Sequence, residues 1–166
     1  LRKQSFNDMG ISERDSLKIV IPDYNILVTK IRYAITDIGG AIHIAKREDV
    51  TVTIRFKDPD TLNSWQQNPE VTRVDLIMGE VSGPVANRDS DKNVSTEVIA
   101  RFTKSDWTGN GAYKEITYTI SKLRKDSYIR VRGTNGNQLE PQEDARGESP
   151  WGDLWFYSNP IFIDVE

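Results

Sequence analysis

The chain has 166 residues, of which 37% are hydrophobic and 28% are charged, and its net charge at pH 7 is −3. This length suits one domain with a substantial core, and the hydrophobic content is well above that of a disordered chain. Because acidic and basic residues are interspersed, we expect no nucleic-acid surface. No apolar run approaches the roughly 18 residues of a membrane-spanning helix, so no membrane insertion is predicted.

Cysteine is absent and histidine occurs once, as His43. These counts exclude a disulfide framework, a thiolate metal site and a metal centre built on several imidazoles. A Ser-His-Asp triad would need His43 as its base, and no nucleophile motif accompanies it. We therefore interpret His43 as a surface or hydrogen-bonded residue, and we expect no catalytic residue in this chain.

Residues 1–16 are mostly polar and include a break at Asp8-Met9-Gly10. We interpret them as a leader or linker remnant from an upstream domain, followed by one domain in residues 17–166. The sequence starts at Leu1 rather than at methionine. It is therefore expected to be a piece of a longer protein, and any export signal would lie in the missing part.

Most of the remaining chain alternates apolar and polar residues, which is the pattern of a half-buried strand. The clearest case is 50–56, which is rich in valine, isoleucine and threonine. Such segments occur at 26–35, 41–45, 50–56, 71–81, 96–102, 116–120, 128–133 and 161–165, with a short candidate at 17–21. Seven to eight strands separated by Gly, Pro and Asn clusters predict an all-β fold, an antiparallel β-sandwich of immunoglobulin-like or fibronectin-like type. A small barrel is the alternative.

Four aromatic rings fall within seven residues near the C-terminus: Trp151, Trp155, Phe156 and Tyr157. Burying such a ring removes on the order of 150–250 Å² from water, so the cluster must dock on something large. The rings cannot all point one way along an extended segment. We expect some to close the core and the others to cover an edge or to meet another domain, as an exposed apolar patch.

Arg130 and Arg132 occupy alternate positions of one predicted strand and share a face with Tyr128. An arginine pair beside an aromatic ring could clamp a phosphate or carboxylate ligand. The favoured interpretation is that the two arginines pair with carboxylates on a neighbouring strand and stack on ring faces.

Asp89, Asp91 and Asn93 match the opening of an Asp-x-Asp-x-Asn calcium loop. The match then fails, because Val94 takes the place of the required glycine and Ala100 that of the bidentate glutamate. A solvated loop is therefore favoured over a weak calcium site.

Trp65 and Trp107 lie in predicted loops. Exposed tryptophans in loops can serve as stacking platforms for sugars, which would make the chain a glycan-binding module. Such residues also close the ends of sandwiches, and this second interpretation is favoured.

Four segments carry a resemblance to a known family: VDLIMGEV at 74–81, VIARFT at 98–103, YIRVRGTN at 128–135 and DLWFYSNPIF at 153–162. Together they resemble the C-terminal β-sandwich domain of exported bacterial phosphoesterases of the PHP (polymerase and histidinol phosphatase) type. In that family an upstream metal-dependent barrel, rich in histidine and carboxylate ligands, performs the chemistry. The resemblance implies an extracytoplasmic (secreted or cell-surface) accessory domain, whose partner is the catalytic domain of the same polypeptide.

Three functions follow. The first is a non-catalytic accessory domain that packs on or orients a catalytic domain. The second is a carbohydrate-binding or cell-surface-binding module that uses Trp65 and Trp107. The third is a self-contained enzyme with two carboxylates roughly 5–10 Å apart in a groove, although no segment indicates such a pair.

Overall fold

The structure is a computed structural model that describes residues 19–21, 24–30, 40–63, 65–85, 87–90, 92–109, 111–143 and 153–166. Side chains are described from residue 40 onward. The predicted leader, the alternating stretch 31–35 and two candidate site residues, Asp91 and Trp151, lie outside the described residues.

The described part of the chain contains ten strands and one short 3₁₀ turn. The strands are β1 (Ile19–Ile21), β2 (Tyr24–Lys30), β3 (Ala41–Ile44), β4 (Val50–Lys57), β5 (Arg73–Glu80), β6 (Glu97–Thr103), β7 (Tyr113–Ile120), β8 (Ser127–Thr134), β9 (Trp155–Tyr157) and β10 (Ile161–Val165). The 3₁₀ turn, Lys104–Asp106, follows β6.

These strands form two sheets. The four-stranded sheet has the order β1-β2-β4-β7, and the six-stranded sheet has the order β3-β10-β8-β5-β6, with β9 also paired to β8. Every pair in the described residues is antiparallel except β3 with β10. The all-β sandwich predicted from the sequence is confirmed, and the two sheets do not close into a barrel.

The core lies between the two sheets, and it is filled by the apolar residues that occupy alternate positions of the strands. In β4 the apolar residues are at most 1% exposed, whereas the threonines and Arg55 between them are half-buried on the other face. One buried cluster joins residues of both sheets: Ile42, Ile44, Val50, Val52, Ile54, Phe56, Val71, Val74, Leu76, Phe102, Ile116, Ile120, Leu123, Ile129, Val131, Ile161 and Ile163. Fully burying an aliphatic or Phe side chain contributes about 1.5–3 kcal/mol, so this cluster is the main source of stability.

Strand β8 is the centre of the six-stranded sheet. It pairs with β5 along its whole length, from Ser127 to Thr134. On its other side, β10 pairs with its first three residues and β9 with its last three. Ser158 fills the break between β9 and β10, because its N–H donates to Val131 O at 2.8 Å and its Oγ accepts from Val131 N–H at 2.8 Å. The aromatic C-terminal segment is thereby fixed beside Arg130 and Arg132.

Candidate functional site

A buried carboxylate lies at the centre of the outer face of the six-stranded sheet, the face turned away from the core. Asp75 of β5 is 1% exposed. The register places it between Arg132 of β8 and Arg101 of β6, and Arg73 shares its face two residues earlier. The sequence therefore surrounds one carboxylate with three guanidinium groups.

The distances show that these groups are paired. Arg132 Nε donates to Asp75 Oδ2 at 2.9 Å, and Arg73 Nε donates to Oδ1 at 3.0 Å. Arg101 Nε lies 3.6 Å from Oδ1. An isolated ionised carboxylate in the interior is very unfavourable, and charged hydrogen bonds from arginine offset that cost. Glu140 completes what we call the ionic cluster: Arg73, Asp75, Arg101, Arg132 and Glu140.

Glu140 belongs to the loop that follows β8, and it is the most exposed member of the cluster. Its carboxylate accepts from Arg132 Nη1 at 2.5 Å and from Arg101 Nη2 at 3.1 Å, although its side chain is 57% exposed. The hydrogen bond from Arg132 holds the pKa of Glu140 below its ordinary value. The same bond, followed by the hydrogen bond with Asp75, raises the pKa of Arg132 against the opposing effect of burial.

The arginines also hold the backbone of this loop, residues 135–143. Arg132 Nη2 donates to Leu139 O at 2.9 Å, and Arg73 Nη2 donates to Gln138 O. The hydroxyl of Thr72 donates to Gly136 O at 2.7 Å. The guanidinium groups therefore fasten the 135–143 loop to the outer face of the sheet, which explains why the loop needs no regular structure of its own.

The three described rings of the C-terminal aromatic cluster lie in β9, where Trp155 and Tyr157 share the outer face of the sheet and Phe156 faces the core. Phe156 packs on the core directly over Gly133, where an added Cβ would lie 2.2 Å from the ring. The ring of Trp155 is half-buried under Arg132 and Arg73, with guanidinium carbons 5.3 and 5.7 Å from its centre. Tyr157 is 45% exposed. One ring therefore seals the core, one supports the arginines and one faces water.

The two arginines singled out in the sequence have different environments. Arg132 makes the cross-strand ion pair with a carboxylate that the sequence favours, and it is 5% exposed. Arg130 stacks on the exposed Tyr157 ring, with its guanidinium carbon 5.1 Å from the ring centre. Its Nε is buried without a hydrogen-bond partner among the described residues. Of the two, Arg130 is the better candidate for an interface.

The sequence prediction missed Arg73, Asp75, Arg101 and Glu140. Alternation within the predicted strand 71–81 puts Arg73 and Asp75 together on its polar face, which is their position in β5, but that face was assigned no role. The available signal was an Arg-x-Asp pair at 73–75 together with the Arg-x-Arg pair at 130–132, since both pairs repeat at strand period. Glu140 carried no local signal, because nothing in its neighbours indicates which strand the loop covers.

The two loop tryptophans also differ. Trp107 packs edge-to-face on Phe56, with ring centres 5.0 Å apart, and closes one end of the core. Trp65 is 61% exposed in the loop between β4 and β5. Trp107 is therefore the end plug that the sequence favours, whereas Trp65 remains a candidate stacking platform.

An open cleft of about 560 Å³ lies beside the loop that joins β5 to β6. Tyr128 and Phe162, which face each other across β8 and β10, line it together with the exposed Val81 and Val85. The cleft is open to solvent, and polar residues form the rest of its lining: Glu80, Ser82, Ser90, Lys92 and Asn93.

The weak calcium site predicted in this loop is only partly described. Asn93 Oδ1, which would have to ligate the ion, accepts hydrogen bonds from Ser95 N at 3.0 Å and from Ser95 Oγ at 2.7 Å. Asp89 is exposed. Within the described ranges no group of three potential metal ligands is found. Calcium binding stays a prediction, since Asp91 lies outside those ranges.

His43 lies in the edge strand β3, with its side chain 65% exposed. Its Nδ1 is 3.4 Å from an Asp164 carboxylate oxygen and 3.7 Å from a Glu166 carboxylate oxygen. This is the surface position expected from the sequence.

None of the helical structure in the described residues is long and apolar enough to cross a membrane.

The chain matches no model of a known protein family, and no curated protein matches its sequence. The resemblance to the PHP-associated domain therefore remains a prediction from the four segments that carry it.

Proposed function

We propose that this chain is a non-catalytic accessory β-sandwich domain that packs on, or orients, the catalytic domain of a larger exported bacterial metal-dependent phosphoesterase. The observation that carries the proposal is the split of the C-terminal aromatic cluster. Phe156 packs on the core, whereas Tyr157 is 45% exposed and stacks on Arg130 on the outer face of the sheet. The family-like segments at 74–81, 98–103, 128–135 and 153–162 supply the kind of partner.

The chemistry of this face suits contact with protein. Tyrosine, tryptophan and arginine are enriched at interfaces, where they supply much of the binding energy. A tyrosine ring stacked on an arginine presents a large, rigid surface with little rotamer entropy left to lose. The ionic cluster supports this arrangement, since Arg132 and Arg73 hold the neighbouring Trp155 ring in place.

The hydrogen bonds of the ionic cluster connect β8 to β5 and to the 135–143 loop. Arg132 donates to a carboxylate on β5, a carboxylate in the 135–143 loop and a carbonyl in the same loop. A guanidinium with three protein acceptors on three of its nitrogens has little capacity left for a substrate phosphate. This supports a structural use of the cluster.

A binding experiment tests the proposal. The catalytic domain encoded upstream is expressed separately, and its affinity for this chain is measured by calorimetry. Tyr157→Ala is expected to weaken binding at least tenfold, in the range of an interface hot spot. The matched control is Tyr113→Ala, because Tyr113 is 41% exposed and stacks on Arg55 at 4.4 Å, but on the other sheet. Equal losses in both variants would contradict the assigned surface.

An activity assay tests the non-catalytic part. The purified chain is expected to show no phosphoesterase turnover, with or without added divalent metals. Robust metal-dependent turnover that survives repurification would contradict the proposal.

The full-length reading frame of the parent protein is a further test, since a histidine-rich metal-binding barrel is expected upstream of this chain.

A carbohydrate-binding or cell-surface-binding module is the second candidate, and the exposure of Trp65 favours it. A glycan array and a cell-wall pulldown with the intact chain are the assays. Binding that is lost in Trp65→Ala would support this function. Trp107→Ala is the control for fold damage, since that ring packs on Phe56. Binding unchanged in both variants would count against a tryptophan platform.

A further inference from the structure

The sheet edges of this protein are not equally protected against pairing with another strand. Exposed edges are usually blunted by short length, charge or irregularity. The edge strands β1 and β3 have three and four residues. The edge strand β6 has a register shift against β5 and carries Glu97 and Arg101. The edge strand β7, by contrast, has eight residues and pairs with β4 in unbroken register over all of them.

The outer edge of β7 is half occupied. Glu115 and Thr108 exchange two backbone hydrogen bonds there, at 2.9 and 3.0 Å. In an antiparallel strand the backbone groups of alternate residues point to opposite sides. Thr117 and Thr119 therefore direct their N–H and C=O groups to the same side as Glu115. In the described part of the chain no strand pairs with them.

We propose that β7 pairs antiparallel with β7 of a second copy of this chain, about a two-fold axis through Tyr118. This register places Thr117 opposite Thr119 of the partner subunit, and the reverse. The two pairs form four hydrogen bonds, so all four open groups of each strand are satisfied. The bridge between Glu115 and Thr108 stays intact.

Of the two neighbouring two-fold registers, the one centred on Thr117 conflicts with an existing backbone bridge. An axis through Thr117 would place Thr119 opposite Glu115 of the partner subunit. The backbone groups of Glu115 already bind Thr108, so that register would have to break an existing bridge. Breaking the bridge would leave the N–H and C=O groups of Thr108 without their partners, which is unfavourable.

The side chains of β7 make a second copy the fitting occupant. On the outer face, the exposed Thr117 and Thr119 would extend a threonine ladder that already exists, since Thr119 Oγ1 lies 3.3 Å from Thr51 Oγ1 of β4. On the inner face, Ile116 would lie opposite Ile120 and Tyr118 opposite itself. Residues 116–120 carry no charge, so these five cross-strand pairs contain no like-charge repulsion, and threonine and aromatic pairs are favourable.

Charge exchange tests both the surface and the identity of the occupant. The double variant Thr117→Lys/Thr119→Lys sets lysine against lysine in the proposed pair, and Thr117→Glu/Thr119→Glu sets glutamate against glutamate. Light scattering of wild type is expected to give twice the 18.9 kDa chain mass at high concentration. Each double variant is expected to stay at the single mass, and a one-to-one mixture of the two is expected to recover the doubled mass.

The matched control is Thr51→Lys/Thr53→Lys. These threonines lie on the same sheet face, directly opposite Thr119 and Thr117, but in β4, which is paired on both sides. This control is expected to dimerise like wild type. A single mass for wild type at every concentration overturns the proposal, as does a doubled mass that survives in the lysine variant.

Disulfide trapping tests the register independently of the charge variants. Because the chain has no cysteine, Tyr118→Cys introduces its sole thiol, at a pair whose Cα atoms are about 4.5 Å apart on the two-fold axis. Oxidation is expected to give a covalent dimer. Thr117→Cys is the control, since its symmetry mate lies diagonally about 7–8 Å away, beyond normal disulfide reach. Cross-linking of Thr117→Cys but not of Tyr118→Cys overturns the proposed axis.

Discussion

The outer faces of the two sheets differ in how far their polar and charged residues are buried and paired. On the six-stranded sheet, Asp75, Arg73 and Arg132 are buried under the 135–143 loop and paired with one another. On the four-stranded sheet, Glu115 and the threonines of β7 remain exposed. The comparison shows that covering a sheet face does not require apolar residues, provided that every charge placed there finds a partner.

The largest expected effect is that of breaking the covered face at its centre. Asp75→Asn keeps the shape of the side chain, but it leaves Arg73 buried without its carboxylate partner and Arg132 with Glu140 alone. Removing one partner of a buried ion pair costs about 3–5 kcal/mol, and urea denaturation measures the loss. The control on the open face is Glu115→Gln, which should change stability by less than about 0.5 kcal/mol. Similar losses in the two variants would contradict the distinction between the faces.

A smaller effect is expected at the contact between β8 and β9. Gly133→Ala places a methyl group 2.2 Å from the present position of the Phe156 ring, and such overpacking costs about 1–3 kcal/mol. The double variant Gly133→Ala/Phe156→Leu should recover part of that loss, because leucine leaves room for the methyl group. A double-mutant cycle in urea measures the coupling, and strictly additive losses would refute the contact.

The pH dependence of stability sharpens the comparison at the rim of the covered face. The pKa of Glu140 is lower in the folded chain than its ordinary 4.5. The stability that its ionised form contributes is therefore present above pH 4.5 and is lost as the pH falls through the folded pKa. Glu140→Gln should reduce stability at pH 7 and flatten the acid branch of the stability curve. Because the side chain is largely exposed, this effect should be smaller than that of Asp75→Asn.

The smallest expected effect compares the two stacked tyrosines. In the isolated chain, Tyr157→Ala and Tyr113→Ala should each cost about 0.5–1 kcal/mol, since both rings are partly exposed and stack on an arginine. Thermal unfolding measures both. A loss at Tyr157 several times that at Tyr113 would show that Tyr157 is part of the fold's support, which would weaken its role as a docking ring.

Much of the fold was predictable, because it depends on alternation that is local in the sequence. The β4 pattern of valine, isoleucine and threonine indicates which residues face the core before any partner strand is known. The site was predictable only in part. Arg130, Arg132 and the aromatic segment were identified, but Asp75 could not be distinguished from any other polar residue on a strand face.

The roles of the two tryptophans show the same limit. Trp65 and Trp107 lie in loops of similar composition, and both were candidates for a sugar platform. Trp107 contacts Phe56, whereas Trp65 stays in water. The surroundings of a loop side chain depend on which strand ends lie next to the loop in space. The sequence of the loop does not indicate which strands those are.

The sequence by itself determined an all-β chain, the inward and outward faces of its strands, and an aromatic C-terminal segment too apolar to remain in water. Only the tertiary structure decided which charges meet. Asp75 pairs with Arg101 on one neighbouring strand and with Arg132 on the other. The same two arginines pair with Glu140 of the covering loop. The physical reason is that alternation fixes a side chain's direction within its own strand, whereas register between distant strands is set by the packing of the whole core.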